Sequence, residues 1–74
     1  MYNVYNIEIT ILNIQTYTTH KENVKFCSRW AARQMARKYA DCMDVTNVEV
    51  VDTETGELIL HLNADGKVIW DTEG

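Results

Sequence analysis

Residues 2–18, YNVYNIEITILNIQTYT, restrict this chain more than any other segment. The run is dominated by Ile, Val, Thr and Tyr, carries one charge (Glu8) and contains neither Gly nor Pro. Such a composition reads as strand. Fully extended, it would span about 56 Å at about 3.3 Å per residue. That is too long for a domain of 74 residues, so the run bends, splits into a hairpin or projects into a partner. Tyr5, Ile7, Ile9 and Ile11 alternate onto one face. Leu12 and Ile14 then continue on the opposite parity, which predicts a β-bulge or bend at Ile11–Leu12.

Beyond this run, Thr19-His-Lys-Glu22 matches a capping box and predicts a helix from there to about Asp41. On a helical wheel, Trp30, Cys27, Ala31, Val24, Cys42 and Met35 share one apolar arc. Lys38 intrudes on that arc and is expected to snorkel at the C-terminal end, where a cation suits the helix dipole. Five cations, Lys21, Lys25, Arg29, Arg33 and Arg37, recur every four residues on the opposite side, with Phe26 at their border. Like charges at that spacing repel weakly and cost helix stability. A basic stripe that packs against nothing is therefore a candidate partner-binding surface.

Three short strands follow, over Val45–Asp52, Glu57–Asn63 and Lys67–Asp71. Gly56 supplies the positive φ of the first turn, and Asn63-Ala-Asp-Gly66 makes the second. Leu58, Leu60 and Leu62 alternate on one face, with Ile59 and His61 on the other. The expected fold is α+β with the order β-α-β-β-β. One amphipathic helix covers one face of a small mixed or antiparallel sheet, as a single domain over residues 1–74 with a frayed tail at 72–74. The helix either crosses between parallel strands, or the first strand joins the sheet elsewhere. The uncovered face would carry Tyr2, Val4, Tyr5, Ile59, His61 and Ile69 in part, and a partly apolar open face favours a homodimer or another partner.

Charge is unevenly distributed along the chain. The net value is −4, yet residues 21–38 hold six cations against Glu22 and residues 39–74 hold nine acids against Lys67. Two electrostatic poles are expected. No signal-peptide pattern or membrane-length apolar run is visible, which points to a cytoplasmic protein. Cys27 and Cys42 would lie about 22 Å apart on one helix, too far for a disulfide, so two buried reduced thiols are expected.

Chemistry is sparse. His20 and His61 have no Cys or acid at ligand spacing, no calcium-loop pattern occurs, and neither cysteine sits in a catalytic motif. No metal, cofactor or enzymatic activity is expected. The carboxylates Asp52, Glu54, Glu57, Asp65 and Asp71 form a possible acidic surface that could imitate a phosphate backbone. The basic stripe could meet phosphates or an acidic protein surface. The acidic remainder of the chain disfavours nucleic acid and favours a protein partner.

The segment V-x-V-V-D-x-x-T-G-E (Val48 to Glu57), with D-G-K at Asp65 to Lys67, resembles small accessory proteins of phages and mobile elements, some of them anti-CRISPR proteins. The resemblance implies a non-enzymatic protein that blocks a host nuclease complex by steric occupation or nucleic-acid mimicry, in the cytoplasm of a bacterial host. It assigns no binding residue.

Overall fold

The structure, a computed structural model, describes residues 3–73. Its elements are β1 (Tyr5–Asn13), β2 (Thr18–Phe26), α1 (Arg29–Ala40), β3 (Val45–Asp52), β4 (Leu58–Asn63) and β5 (Val68–Asp71). The strands form one antiparallel sheet in the order β2-β1-β3-β4-β5, and α1 packs on one of its faces. The α+β class is as read from the sequence, with one more strand ahead of the helix.

That extra strand comes from the long β-prone run, which takes the hairpin solution. The chain reverses at Ile14–Tyr17, where Asn13 Oδ1 accepts from the Gln15 and Thr16 amides at 3.0 and 3.3 Å. Such a side-chain bond to the following backbone is the usual device of an Asn-initiated turn. From Thr18 the chain pairs back along all of β1, from Asn13↔Thr18 to Tyr5↔Phe26.

Residues 19–26 are therefore strand, and the expected helix start at Thr19 is corrected. The capping-box pattern is overridden because β1 offers a free edge, and because Val24 and Phe26 gain burial opposite Ile7 and Tyr5. The actual N-cap is Ser28, with extended φ/ψ of −122° and 126°. Its Oγ accepts from the Ala31 amide at 3.2 Å.

Starting the helix at Arg29 also changes which face is buried. Ala32, Ala36 and Ala40, four residues apart, are buried against the sheet. Their small side chains let the helix backbone lie close over β3, flanked by β1 and β4. Beneath them sit Ile7 and Ile9 of β1, Val48 and Val50 of β3, and Leu60 and Leu62 of β4. Met35 and Tyr39 complete the contact as partly buried neighbours. The expected arc is thus corrected: Trp30 is 72% exposed, and Cys27 and Cys42 are exposed free thiols flanking the helix. A helix seated on alanines leaves no room beneath it for an indole.

Three β-bulges shape the sheet. Thr46 is the extra residue of β3 against Thr10–Ile11, Ile59 that of β4 against Val50–Val51, and Ile69 that of β5 against His61–Leu62. A shift in register at Ile11 was expected, but the added residue belongs to the partner strand. The bulge at Ile59 also breaks the leucine alternation. Leu60 and Leu62 pair with Val50 and Val48 on the helix side, whereas Leu58 pairs with Val51 on the open side. Ile59, expected on the open face, is fully buried, and so is most of Tyr5.

Because β2 and β3 both run antiparallel to β1, they are parallel to each other. The helix crosses from one to the other with β1 inserted between them. The molecule is elongated, 43 × 21 × 17 Å. The β1–β2 tip, the α1–β3 loop and the β4–β5 turn lie at one end, called distal below; the β3–β4 turn and the end of β5 lie at the other.

Thr72 and Glu73, expected to fray, are held. The Thr72 amide donates to Ile59 O at 3.0 Å, and the Glu73 amide donates to Asp71 Oδ1 at 2.9 Å. Gly74 of that tail and Tyr2 of the expected open face lie outside the described residues. Among the described residues, no helix is long and apolar enough to cross a membrane.

Candidate interaction surfaces

The five-cation row does not exist as one stripe. Lys21 and Lys25 lie on β2, and only Arg29, Arg33 and Arg37 share the helix. Nor do those three oppose the buried face. They run along the β4–β5 flank of the alanine stripe, and two of them close the helix onto the sheet. Arg33 forms a bidentate pair with Asp71 at 2.7 and 2.9 Å, and its Nε lies 3.2 Å from Glu73. Arg29 stacks 5.8 Å above the Tyr5 ring and lies 3.7 Å from Glu57. Lys21 pairs with Glu8 on the open face at 3.2 Å. No ion pair to Lys25 or Arg37 occurs among the described residues, while Phe26, expected beside the row, packs against the core.

Bidentate pairing in a largely shielded setting has electrostatic consequences. The Arg33 guanidinium holds Asp71 down to about 2, helped by the Glu73 amide and opposed by burial. Arg33 is in turn raised, chiefly by its hydrogen bonds to Asp71. Asp52, only 2% exposed, is lowered by the Glu54 amide first, against the cost of burial, with further help from the Asn3 side chain and Thr55 amide. Its carboxylate organises the β3–β4 turn, which Gly56 completes at φ +76° with its amide on Asp52 O at 2.7 Å.

The proposed acidic surface is dispersed by these roles. Asp52 is buried, Asp71 is bound by Arg33, and Glu57 faces Arg29. Glu54 and Asp65 stand exposed at opposite ends of β4, about 20 Å apart along a six-residue strand. The structure does not bring the five carboxylates together as a phosphate-like array.

The histidines are separated as well. His20, expected in a first helical turn, lies on β2 with Nε2 3.8 Å from Glu22. His61 lies on the open face, bonded to Asn47 Oδ1 at 2.6 Å and 3.8 Å from Glu49. No group of His, Cys, Asp or Glu suited to a metal ion occurs among the described residues. The open face is polar across its middle, where Asn23, Glu8, Glu49 and His61 stand in one register row across β2, β1, β3 and β4. The expectation of a partly apolar open face is corrected there, because the bulge at Ile59 turns that residue inward.

Two groups of exposed apolar side chains occur, and of their members only Ile69 was expected on an uncovered face. At the distal end, Ile14, Tyr17 and Met43 are 60, 84 and 86% exposed. The Leu12 amide donates to Asp44 O at 2.7 Å and brings the α1–β3 loop against the end of β1. A shallow cleft runs beside this contact, lined by Ile11, Leu12, Ile14, His20 and Asp44 among others. Tyr17 and Asp44 both have positive φ, 55° and 71°. The second group is Val68, Ile69 and Trp70 on the outer strand β5. The sequence signal for the first was the Asn13-x-Gln-Thr16 break inside the β-prone run. For the second it was an apolar V-I-W stretch too short to be covered by the helix.

No protein-family model, curated protein or solved structure matches this chain.

Proposed function

We propose that this chain is a protein-binding module without chemistry of its own, and that its distal end is the contact surface. Tyr17 carries this reading. A tyrosine in the left-handed region costs of order 1 kcal/mol or more relative to a residue suited to it. Here the cost is borne by a side chain 84% exposed, at the end of the molecule that also exposes Ile14 and Met43. We read a positive φ carried by an exposed aromatic, at a turn position that Gly or Asn would fill at less cost, as a side chain kept for contact with a partner. Tyrosine is among the residues that dominate protein interfaces.

The mode differs from docking through a basic stripe, because Arg29 and Arg33 are engaged with the protein's own carboxylates. The partner fitted by this surface is a protein with an apolar recess that accepts Tyr17 and Met43. The resemblance to phage-encoded inhibitors makes a host nuclease complex the first target class to test, with inhibition by steric occupation.

The test is capture by the immobilised protein from cells that express it, quantified by mass spectrometry, and compared with Tyr17→Ser and Met43→Ser variants. Loss of a hot-spot side chain removes about 2 kcal/mol, or about 30-fold in affinity. A captured set unchanged by both substitutions overturns the reading. Arg37→Glu serves as the comparison and is expected to leave capture intact.

A further inference from the structure

We infer that β5 pairs with β5 of a second copy of this chain, joining two sheets into one of ten strands. Three observations carry this.

The first is that β5 is an outer strand with a free edge, and Val68, Ile69 and Trp70 are all exposed on it. Unpaired backbone groups beside exposed apolar side chains are a template for strand addition. The other outer strand, β2, lacks this character. It presents Lys21, Glu22 and Lys25, and a two-fold axis at Lys21 or Glu22 would set like charges face to face.

The second is the charge order along the β5 segment. Lys67 precedes the strand, and Asp71 and Glu73 close it. Antiparallel pairing about Trp70 places Lys67 of each copy opposite Glu73 of the other, and Trp70 opposite Trp70. Parallel pairing would set like charges side by side. The segment is therefore complementary to itself in one direction only. Asp71 is enclosed by its bidentate pair with Arg33, whereas Glu73, although 3.2 Å from Arg33 Nε, is half exposed and has room for a second cation.

The third is position. Trp70 pairs with His61 across β4 and so lies on the open face, where its indole N–H donates to Leu58 O at 3.0 Å. At the two-fold axis, two such rings meet in a cross-strand aromatic pair, one of the stronger stabilising pairs in sheets. The bulge at Ile69 shortens the regular edge, so the dimer is weak and reversible, below the usual size of about 1,200 Å² for a stable interface. This surface runs along the outer edge of β5 and does not use Ile14, Tyr17 or Met43.

Sedimentation velocity over a range of protein concentrations tests the pairing, with tryptophan fluorescence reporting Trp70 and circular dichroism reporting folding. The wild-type protein should dimerise reversibly in the micromolar range, and Ile69→Lys should be monomeric there. Lys67→Glu should weaken the dimer at least 10-fold, and Lys67→Glu combined with Glu73→Lys should restore most of that loss. A wild type that stays monomeric to millimolar concentration overturns the inference. So does a dimer unaffected by Ile69→Lys, or a Lys67→Glu variant that dimerises as well as the wild type. Lys67→Glu lies at an exposed turn, so it remains a test even if Ile69→Lys does not fold.

Discussion

Replacing Ala36 with Leu should destabilise this protein more than removing the whole indole of Trp30. Ala36 is fully buried at the centre of the alanine stripe, directly over the sheet. Adding three carbons there forces the helix away from β3 or pushes side chains off their rotamers, which costs about 1–3 kcal/mol. The helical propensity of Leu is close to that of Ala and offsets little of this. Trp30→Ala removes a far larger side chain, but one that is 72% exposed. A buried Trp would cost about 3–5 kcal/mol on truncation; an exposed one should stay near or below 1 kcal/mol. For a domain of this size 1 kcal/mol corresponds to about 4–8 °C in Tm. Ala36→Leu should therefore lower Tm by roughly 5–20 °C and Trp30→Ala by only a few degrees. Urea unfolding followed by far-ultraviolet circular dichroism separates them. If Trp30→Ala proves the more damaging, the helix is rotated and the alanine seat described above is wrong.

Acid should weaken the fold through two carboxylates. Asp71 sits at about 2 and Asp52 is also lowered, so both contribute stability above the ordinary carboxylate value near 4 and lose it as pH falls towards 2. Thermal melts from pH 5 to pH 2 should show this decline, and Asp71→Asn should flatten part of it; an equally steep decline in the variant refutes the assignment. Arg33→Ala should raise amide hydrogen exchange in β5 while leaving β1 and β3 protected, and uniform acceleration across the sheet would show a global role instead. Tyr17→Asn should stabilise the isolated protein by about 0.5–1 kcal/mol, because asparagine tolerates positive φ, while partner capture falls. A loss of stability would show that the Tyr17 ring packs on the protein itself.

How much of this was legible in the chain depends on which contacts set each element. The turns at Gly56 and Gly66 were readable because their chemistry is local, and both glycines have φ of +76°. The three C-terminal strands were readable for the same reason. The helix start was not. Thr19-x-x-Glu22 satisfies a local capping rule, but the pairing of β2 with β1 depends on residues up to 21 positions away, Tyr5 with Phe26. The cation row followed that error, since a four-residue repeat has meaning only on a helix. Bulges were the other obstacle. The extra residue at Ile59 turns Ile59 inward and sets Leu58 on the open side, apart from Leu60 and Leu62, and nothing in the L-I-L-H-L alternation announces it. The strained Tyr17 at the hairpin tip could be suspected only once the long run was known to fold back on itself.

The Arg33–Asp71 pair has a consequence for how the sheet opens. β5 has four residues and sits at the edge, and among the described residues the helix holds it through the guanidinium clasp on Asp71 and the adjoining contact to Glu73. It is therefore the natural low-free-energy unit for local unfolding, released when the clasp lets go. Its departure would bare the edge of β4, whose Leu60 and Leu62 are otherwise fully enclosed. One arginine on the helix thus decides whether the leucine-rich strand β4 is ever seen by another chain.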